Sequence, residues 1–300
     1  MNTSDTDIRR SDLVLSLAQR LLLLLCFFLV CWLLTAGLSY ILGKLLIGKA
    51  AAAVRIGSVV QDVVAFVIPS AATALLICRR PAWLLCLKTA PHPLMYVLVA
   101  VMLLVSIPAQ EAVIWWNANI HLPQSMAAFE AAARQLEDMA ASTMAMLMAD
   151  TSIMALITNI LIVGILAGFS EELLFRGCLQ RLLTTAGVNH HLAIWLVAFS
   201  FSALHAQLFG FVPRMLLGAY FGYLLWWSRS LWVPVTAHVL NNTIYAISAW
   251  HTVRTGGTAA LDATPSLWPA WLTALSVAAI IVLLMLMHRT SATYSKLSAK

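Results

Sequence analysis

The sequence is a series of long apolar runs separated by short polar segments. The hydrocarbon core of a bilayer is about 30 Å thick, and a helix needs about 20 apolar residues to cross it. Windows of that length predict an all-α fold, a polytopic transmembrane helix bundle with about eight spans. The predicted spans are 21–43, 59–78, 93–114, 151–171, 190–207, 211–227, 231–249 and 268–287.

The composition supports a membrane protein. The chain is 62% hydrophobic and 10% charged, whereas soluble domains carry about 25% charged residues. The net charge is +6, but the basic residues lie between apolar runs and form no patch, so we expect a lipid bilayer and not nucleic acid as the partner. The five cysteines include no CxxC pair, which argues against a disulfide framework or a cysteine zinc site.

The basic residues predict the orientation of the bundle. An even number of spans places both termini on one side, and twelve of the eighteen basic residues then share that side. The loop 115–142 carries three acidic residues and one arginine. Because cytoplasmic loops are rich in Lys and Arg, we expect both termini to be cytoplasmic.

The chain divides into four predicted regions. Residues 1–20 are a cytoplasmic N-terminal segment, and 21–150 form the N-terminal membrane helices with an amphipathic outer loop. Residues 151–250 form a helix core that carries the polar clusters described next. Residues 251–300 comprise a loop, the last membrane helix and a basic cytoplasmic tail.

Three polar clusters interrupt the apolar runs of the helix core. The first follows twenty residues, 151–170, that contain no charge. A charged side chain at the centre of a membrane helix costs about 2.5–3.5 kcal/mol on insertion scales, and such residues usually have a function. The clusters are Glu171-Glu172 with Arg176, Phe201 with His205, and His238 with Asn242.

The spacing of each cluster predicts how its side chains point. Residues four apart share a helix face, so Glu172 and Arg176 are expected to pair. Adjacent residues lie about 100° apart on a helix, so Glu171 faces away from that pair and is free to point into the bundle.

These residue types suit hydrolysis of a peptide bond. Low-dielectric surroundings disfavour the charged form of a carboxylic acid, which makes it an effective general base near neutral pH. In this interpretation Glu171 activates water, and His205 shares the water or passes a proton to the leaving amine. Donors from His238 and Asn242 stabilise the oxyanion.

The order EExxxR, FxxxH, HxxxN on consecutive helices resembles the CPBP family of intramembrane proteases. That family includes CAAX endopeptidases, which trim prenylated proteins, and bacterial relatives linked to bacteriocin maturation and immunity. The resemblance covers roughly residues 152–250. It implies an intramembrane endopeptidase that cleaves a membrane-associated protein or peptide precursor, and we expect it in the bacterial inner (cell) membrane.

The family resemblance implies the same division of roles among the residues. Glu171 and His205 act on the water, and His238 and Asn242 act on the oxyanion. Glu172 and Arg176 then have a supporting, structural role.

A metal-dependent protease is an open alternative. Glu171, His205 and His238 could instead bind a divalent metal such as zinc, whose water would attack the peptide bond. The HExxH helix motif of zinc proteases is absent from the sequence. A glutamate-type protease without a cofactor is therefore favoured over a metalloprotease.

The other alternative is a transporter or a non-catalytic membrane binding or immunity protein. Buried carboxylates and histidines also form proton relays. The polar clusters all lie within residues 171–242, however, and residues 1–150 show no counterpart to them. Paired inverted halves, which are typical of many transporters, are therefore not indicated.

Overall fold

The computed structural model describes residues 13–257 and 268–298, with side chains up to residue 291. Residues 1–12, 258–267, 299 and 300 lie outside the described residues. Most of the predicted segment 1–20 and parts of region 251–300 therefore also lie outside them, and the division into four regions stays a prediction.

Helices make up the described part of the chain, and it contains no β-strand apart from an isolated bridge between Leu13 and Cys78. The predicted helical membrane bundle is confirmed. The helices are α1 (Leu17–Leu45), α2 (Ala50–Ile77), α3 (Leu94–Val105), α4 (Ile107–Ala118), α5 (Ala127–Met148), α6 (Ile153–Thr185), α7 (His190–Leu204), α8 (Phe211–Ser228), α9 (Trp232–Arg254) and α10 (Ala270–Ser298).

The predicted number of about eight spans is not confirmed. Within the described ranges, five helices are long and apolar enough to cross a bilayer: α1, α2, α6, α10, and α8 together with the turn before it. Helices α3 and α4 meet at a bend of 53° and add a sixth span if they are counted as one. Helix α7 has only 15 residues, and α9 carries His238, Asn241 and Asn242 in its middle.

Local signals explain where the helices around the polar clusters begin and end. The side chain of Ser152 accepts a hydrogen bond from the backbone N–H of Ala155, and Asn189 caps α7 in the same way. Such caps satisfy N–H groups that have no partner inside the helix. Helix α7 ends at Leu204, and Ala206 has a left-handed backbone with φ of 54°. His205 was expected on a helix but lies just beyond its end.

Helix α6 occupies the middle of the bundle and packs closely against α9. A Cβ atom added to Gly168 would lie 3.1 Å from the backbone nitrogen of Val239. The backbones of the two helices therefore approach at a distance that only glycine permits. Val239 follows His238, so this contact brings the third polar cluster beside the first.

Candidate active site

Glu172 is the centre of the site. Its Oε1 accepts one hydrogen bond from Nη1 of Arg176 at 2.5 Å and another from Nδ1 of His238 at 2.9 Å. The side chains of Glu172 and Arg176 are fully buried. The predicted pairing four residues apart is thus present, and it extends to a second helix through His238.

Arg176 is enclosed by aromatic rings and bound to a third helix. Its guanidinium lies 4.6 Å from the ring centroid of Phe201 and 5.3 Å from that of Phe221. Nη2 donates to the backbone carbonyl of Gly218 on α8 at 2.9 Å. A cation over an aromatic face is stabilised by the ring quadrupole, so Arg176 ties α6 to α7 and α8.

Glu171 lies on the other side of His238. Its Oε2 is 3.8 Å from Nε2 of His238, which is too long for a direct hydrogen bond. The Glu171 side chain is 14% exposed, whereas that of Glu172 is enclosed. His238 therefore stands between two carboxylates, one structural and one accessible.

The ring of His238 is held by aromatic contacts as well as by the hydrogen bond at Nδ1. It stacks on Phe221 with ring centroids 4.9 Å apart and meets the ring of Phe201 nearly at right angles. Because a carboxylate only accepts hydrogen bonds, Nδ1 carries a proton toward Glu172. The unoccupied Nε2 is then the nitrogen that faces Glu171.

His205 lies at the open edge of the site. Its Nδ1 is 2.8 Å from the carbonyl oxygen of Phe201, and the two rings meet edge to face at 5.1 Å. A carbonyl accepts, so Nδ1 is protonated and Nε2 is the free basic nitrogen of the neutral ring. The structure shows no direct hydrogen bond between His205 and either glutamate, although the charge of Glu171 acts on it.

Asn242 reaches helix α6, one turn beyond His238. Its Nδ2 donates to the carbonyl of Val163 at 3.0 Å, and its Oδ1 accepts from Asn241. Val163 lies in a π-helical segment of α6, Ile160–Leu166. Such wider turns interrupt the regular backbone ladder and are frequent at functional sites. One amide N–H of Asn242 is engaged in this contact, and the second remains for another acceptor.

Asp62 on α2 is a residue that the sequence analysis did not include in the site. It is buried, and its Oδ1 accepts a hydrogen bond from the hydroxyl of Ser170 at 3.1 Å. Ser170 directly precedes Glu171, and the charges of Asp62 and Glu171 act on each other. The sequence signal that could have identified Asp62 is a carboxylate inside an apolar run, and the same signal identified Glu171.

Helix α5 holds the turn that follows His205. Glu137 accepts from the backbone N–H of Phe209 at 2.8 Å and from Nε2 of Gln207 at 2.9 Å. The N-terminal part of α5 is held in place by Glu130. Hydrogen bonds from the backbone N–H of Leu122 and, to a smaller extent, from the Arg134 guanidinium lower the pKa of Glu130 to about 2. The helix α5 thus lies in the part of the chain where an amphipathic outer loop was predicted, and it contacts the edge of the site.

The three ligands of the metal-dependent alternative are not arranged as a metal site. Across residues 13–257 and 268–291, no group of three or more His, Cys, Asp or Glu side chains is close enough to hold a metal ion. Nδ1 of His238 is already bound to Glu172.

Comparison with known proteins supports the predicted resemblance. Residues 153–244 match the model of the family described as type II CAAX prenyl endopeptidase Rce1-like. This segment contains all three polar clusters, and the match confirms the resemblance to the CPBP family.

A curated relative is also similar to this segment. The uncharacterized protein YpbD of Bacillus subtilis (strain 168) is 30% identical over 94 residues, which is 30% of this chain and 45% of YpbD. The similarity therefore spans less than half of either protein. None of the solved structures matches the chain.

Proposed function

We propose that the chain is an intramembrane endopeptidase that hydrolyses a peptide bond of a membrane-associated protein or peptide. The observation that carries this proposal is the unequal pair of adjacent glutamates. Glu172 is enclosed and bound to Arg176 and His238, whereas Glu171 is partly exposed beside the free edge of His238. One glutamate orients the site, and the other is available to water.

Glu171 acts as the general base in the proposed reaction. It removes a proton from a water molecule whose oxygen attacks the peptide carbonyl carbon. A positioned base of this kind contributes about 10²–10⁴ in rate. The free Nε2 of His205 accepts a hydrogen bond from the water, then receives the proton that Glu171 removed and passes it to the amine as the C–N bond breaks, which regenerates the Glu171 carboxylate. The products are a carboxylic acid and an amine, so atoms and charges balance.

His238 and Asn242 stabilise the oxyanion. Asn242 offers the amide N–H that is not bound to Val163. His238 can donate from Nε2 only when its ring carries both protons, and the Glu172 carboxylate at Nδ1 faces the resulting positive charge. This is the role of a carboxylate that orients a catalytic imidazole. Loss of one oxyanion donor typically costs about 10²–10³ in kcat.

An apolar groove beside the site supports a substrate that carries a lipid or an apolar segment. It has a volume of about 210 Å³ and is lined almost entirely by apolar side chains of α1, α6 and α7. Leu204, one of its lining residues, directly precedes His205. Together with the match to prenyl endopeptidases, this groove favours a carboxyl-terminal C-a-a-X sequence with a lipidated cysteine as the substrate class to test first.

The proposed function is tested by comparing protein carboxyl termini in cells that express the wild-type chain or Glu171→Gln. We expect at least one membrane protein or peptide to keep a longer terminus in the variant. Identical termini in both cells would contradict the proposal.

Metal dependence is tested separately on the purified chain. We expect cleavage to survive exhaustive chelation. Activity that disappears with the chelator and returns with stoichiometric zinc would reassign Glu171, His205 and His238 as metal ligands.

A further inference from the structure

Helices α6 and α8 contact each other in a regular parallel register, in which a residue of α6 contacts the residue 42 positions later on α8. Nε2 of Gln180 donates to the carbonyl of Gly222 at 3.0 Å, and Nη2 of Arg176 donates to the carbonyl of Gly218 at 2.9 Å. One helical turn separates the two contacts on each helix. A further turn in the same direction brings Arg214 on α8 level with Glu172 on α6.

Arg214 is a cation with an incomplete set of partners. Its Nη2 donates to Oε1 of Gln207 at 2.8 Å, while its Nη1 is buried and has no hydrogen-bond partner. Among the described residues, no carboxylate forms an ion pair with it. The charges of Glu137 and Glu171 act on it from a distance, but both oxygens of Glu137 are occupied by Gln207 and Phe209.

A guanidinium held in this way is suited to bind an anion. Burying an unpaired charge is strongly unfavourable, and charged residues inside membrane helices usually pair or mark a substrate path. Gln207 fixes the orientation of the guanidinium, and Gly210 leaves room for it, since a Cβ there would lie 3.0 Å from Nη2. A planar guanidinium binds carboxylates through two parallel hydrogen bonds.

We propose that Arg214 binds the free carboxyl-terminal carboxylate of the substrate and thereby selects peptide bonds close to a chain terminus. The inference rests on the proposed endopeptidase function and adds a specificity-determining residue to it. The oxyanion already has donors on α9, whereas a terminal carboxylate that enters the membrane needs a cation. Because an extended residue spans about 3.3–3.6 Å, a guanidinium level with the Glu171–Glu172 turn implies a leaving peptide of a few residues.

The test compares two substrates that differ in one group. The first is a fluorogenic peptide that ends in S-farnesyl-cysteine followed by three residues with a free carboxylate, and the second is the same peptide with a terminal carboxamide. Both are given to the full chain in liposomes as wild type, Arg214→Gln and Arg214→Lys. Arg254→Gln is the matched control, since Arg254 packs on Trp250 at the end of α9.

Wild type and Arg254→Gln are expected to prefer the free acid by a KM lower by roughly 10- to 100-fold, the size of a charge-assisted contact. Arg214→Gln should lose this preference, and Arg214→Lys should keep part of it. The comparison of the acid and amide peptides with the wild type does not depend on whether any variant folds.

Three outcomes would overturn the inference. Equal cleavage of the acid and amide peptides by the wild type would contradict the proposed role of Arg214, but it would not contradict the proposed endopeptidase function. An undiminished preference in well-folded Arg214→Gln would do the same. Absence of cleavage of both peptides by the wild type would contradict the prenyl-peptide activity itself, and the inference would fall with it.

Discussion

Nδ1 of His238 lies 2.9 Å from Oε1 of Glu172, and this contact joins two helices whose residues are 66 positions apart. The same oxygen receives the guanidinium of Arg176. A single carboxylate therefore pairs with the buried Arg176 and orients an imidazole that we assign to catalysis.

Glu172→Gln is expected to destabilise the protein. The substitution leaves the buried Arg176 without its counter-charge, and breaking a buried pair typically costs about 3–5 kcal/mol. Thermal unfolding of the purified variant in detergent should show a clearly lower Tm than the wild type. An unchanged Tm would mean that the ion pair contributes nothing to the fold.

Gly168→Ala should lower both stability and turnover. The added Cβ would lie 3.0 Å from Cγ2 and 3.1 Å from the backbone nitrogen of Val239, so α9 must move away and carry His238 with it. Overpacking of this kind costs about 1–3 kcal/mol. Gly43→Ala is the matched control, because nothing lies within 4 Å of a Cβ at Gly43. Equal behaviour of the two variants in melting and cleavage assays would contradict the close-approach argument.

Glu137→Ala should lower kcat by loosening the turn that follows His205. It leaves the N–H of Phe209 without its acceptor, which costs about 1–3 kcal/mol. Glu137→Gln, which keeps an acceptor oxygen, should restore part of the activity. The neighbouring Asp138→Ala is the control, since Asp138 is exposed. If both alanine variants cleave at the wild-type rate, α5 does not position His205.

Asp62→Asn tests whether Asp62, and not Glu171, is the general base. The asparagine keeps an acceptor for the Ser170 hydroxyl and removes a buried acid, so we expect a stable protein that still cleaves. The measurement is turnover beside that of Glu171→Gln. An inactive Asp62→Asn with an active Glu171→Gln would transfer the role of base from α6 to α2.

The sequence allowed prediction of contacts within a helix better than contacts between helices. The pairing of Glu172 with Arg176 follows from a spacing of four residues, and the packing of Phe201 against His205 follows in the same way. The contacts of Asp62 with Ser170 and of Gln180 with Gly222 join residues on different helices. No periodicity along one helix specifies which neighbour it packs against.

Two local details also could not be read from the sequence pattern. An apolar run that includes His205 predicts a continuing helix, but the chain turns at Ala206 with a positive φ. The π-helical segment Leu173–Gln180 was not indicated by the sequence pattern, although the predicted contact of Glu172 with Arg176 forms at its start. Both features lie at the site, where local regularity commonly gives way to function.

If Glu172 supports the fold and Glu171 performs the chemistry, replacing each glutamate separately must have different effects on stability and on cleavage. Glu171→Gln and Glu172→Gln are purified, and the melting temperature and single-turnover cleavage of each are recorded side by side. We expect Glu171→Gln to melt at or above the wild-type temperature and not to cleave, because a partly buried acid has been replaced and the base is gone. We expect Glu172→Gln to melt at a lower temperature and to lose activity together with its fold. A Glu171→Gln protein with near-normal cleavage, beside a well-folded but inactive Glu172→Gln protein, would contradict these roles of the two glutamates.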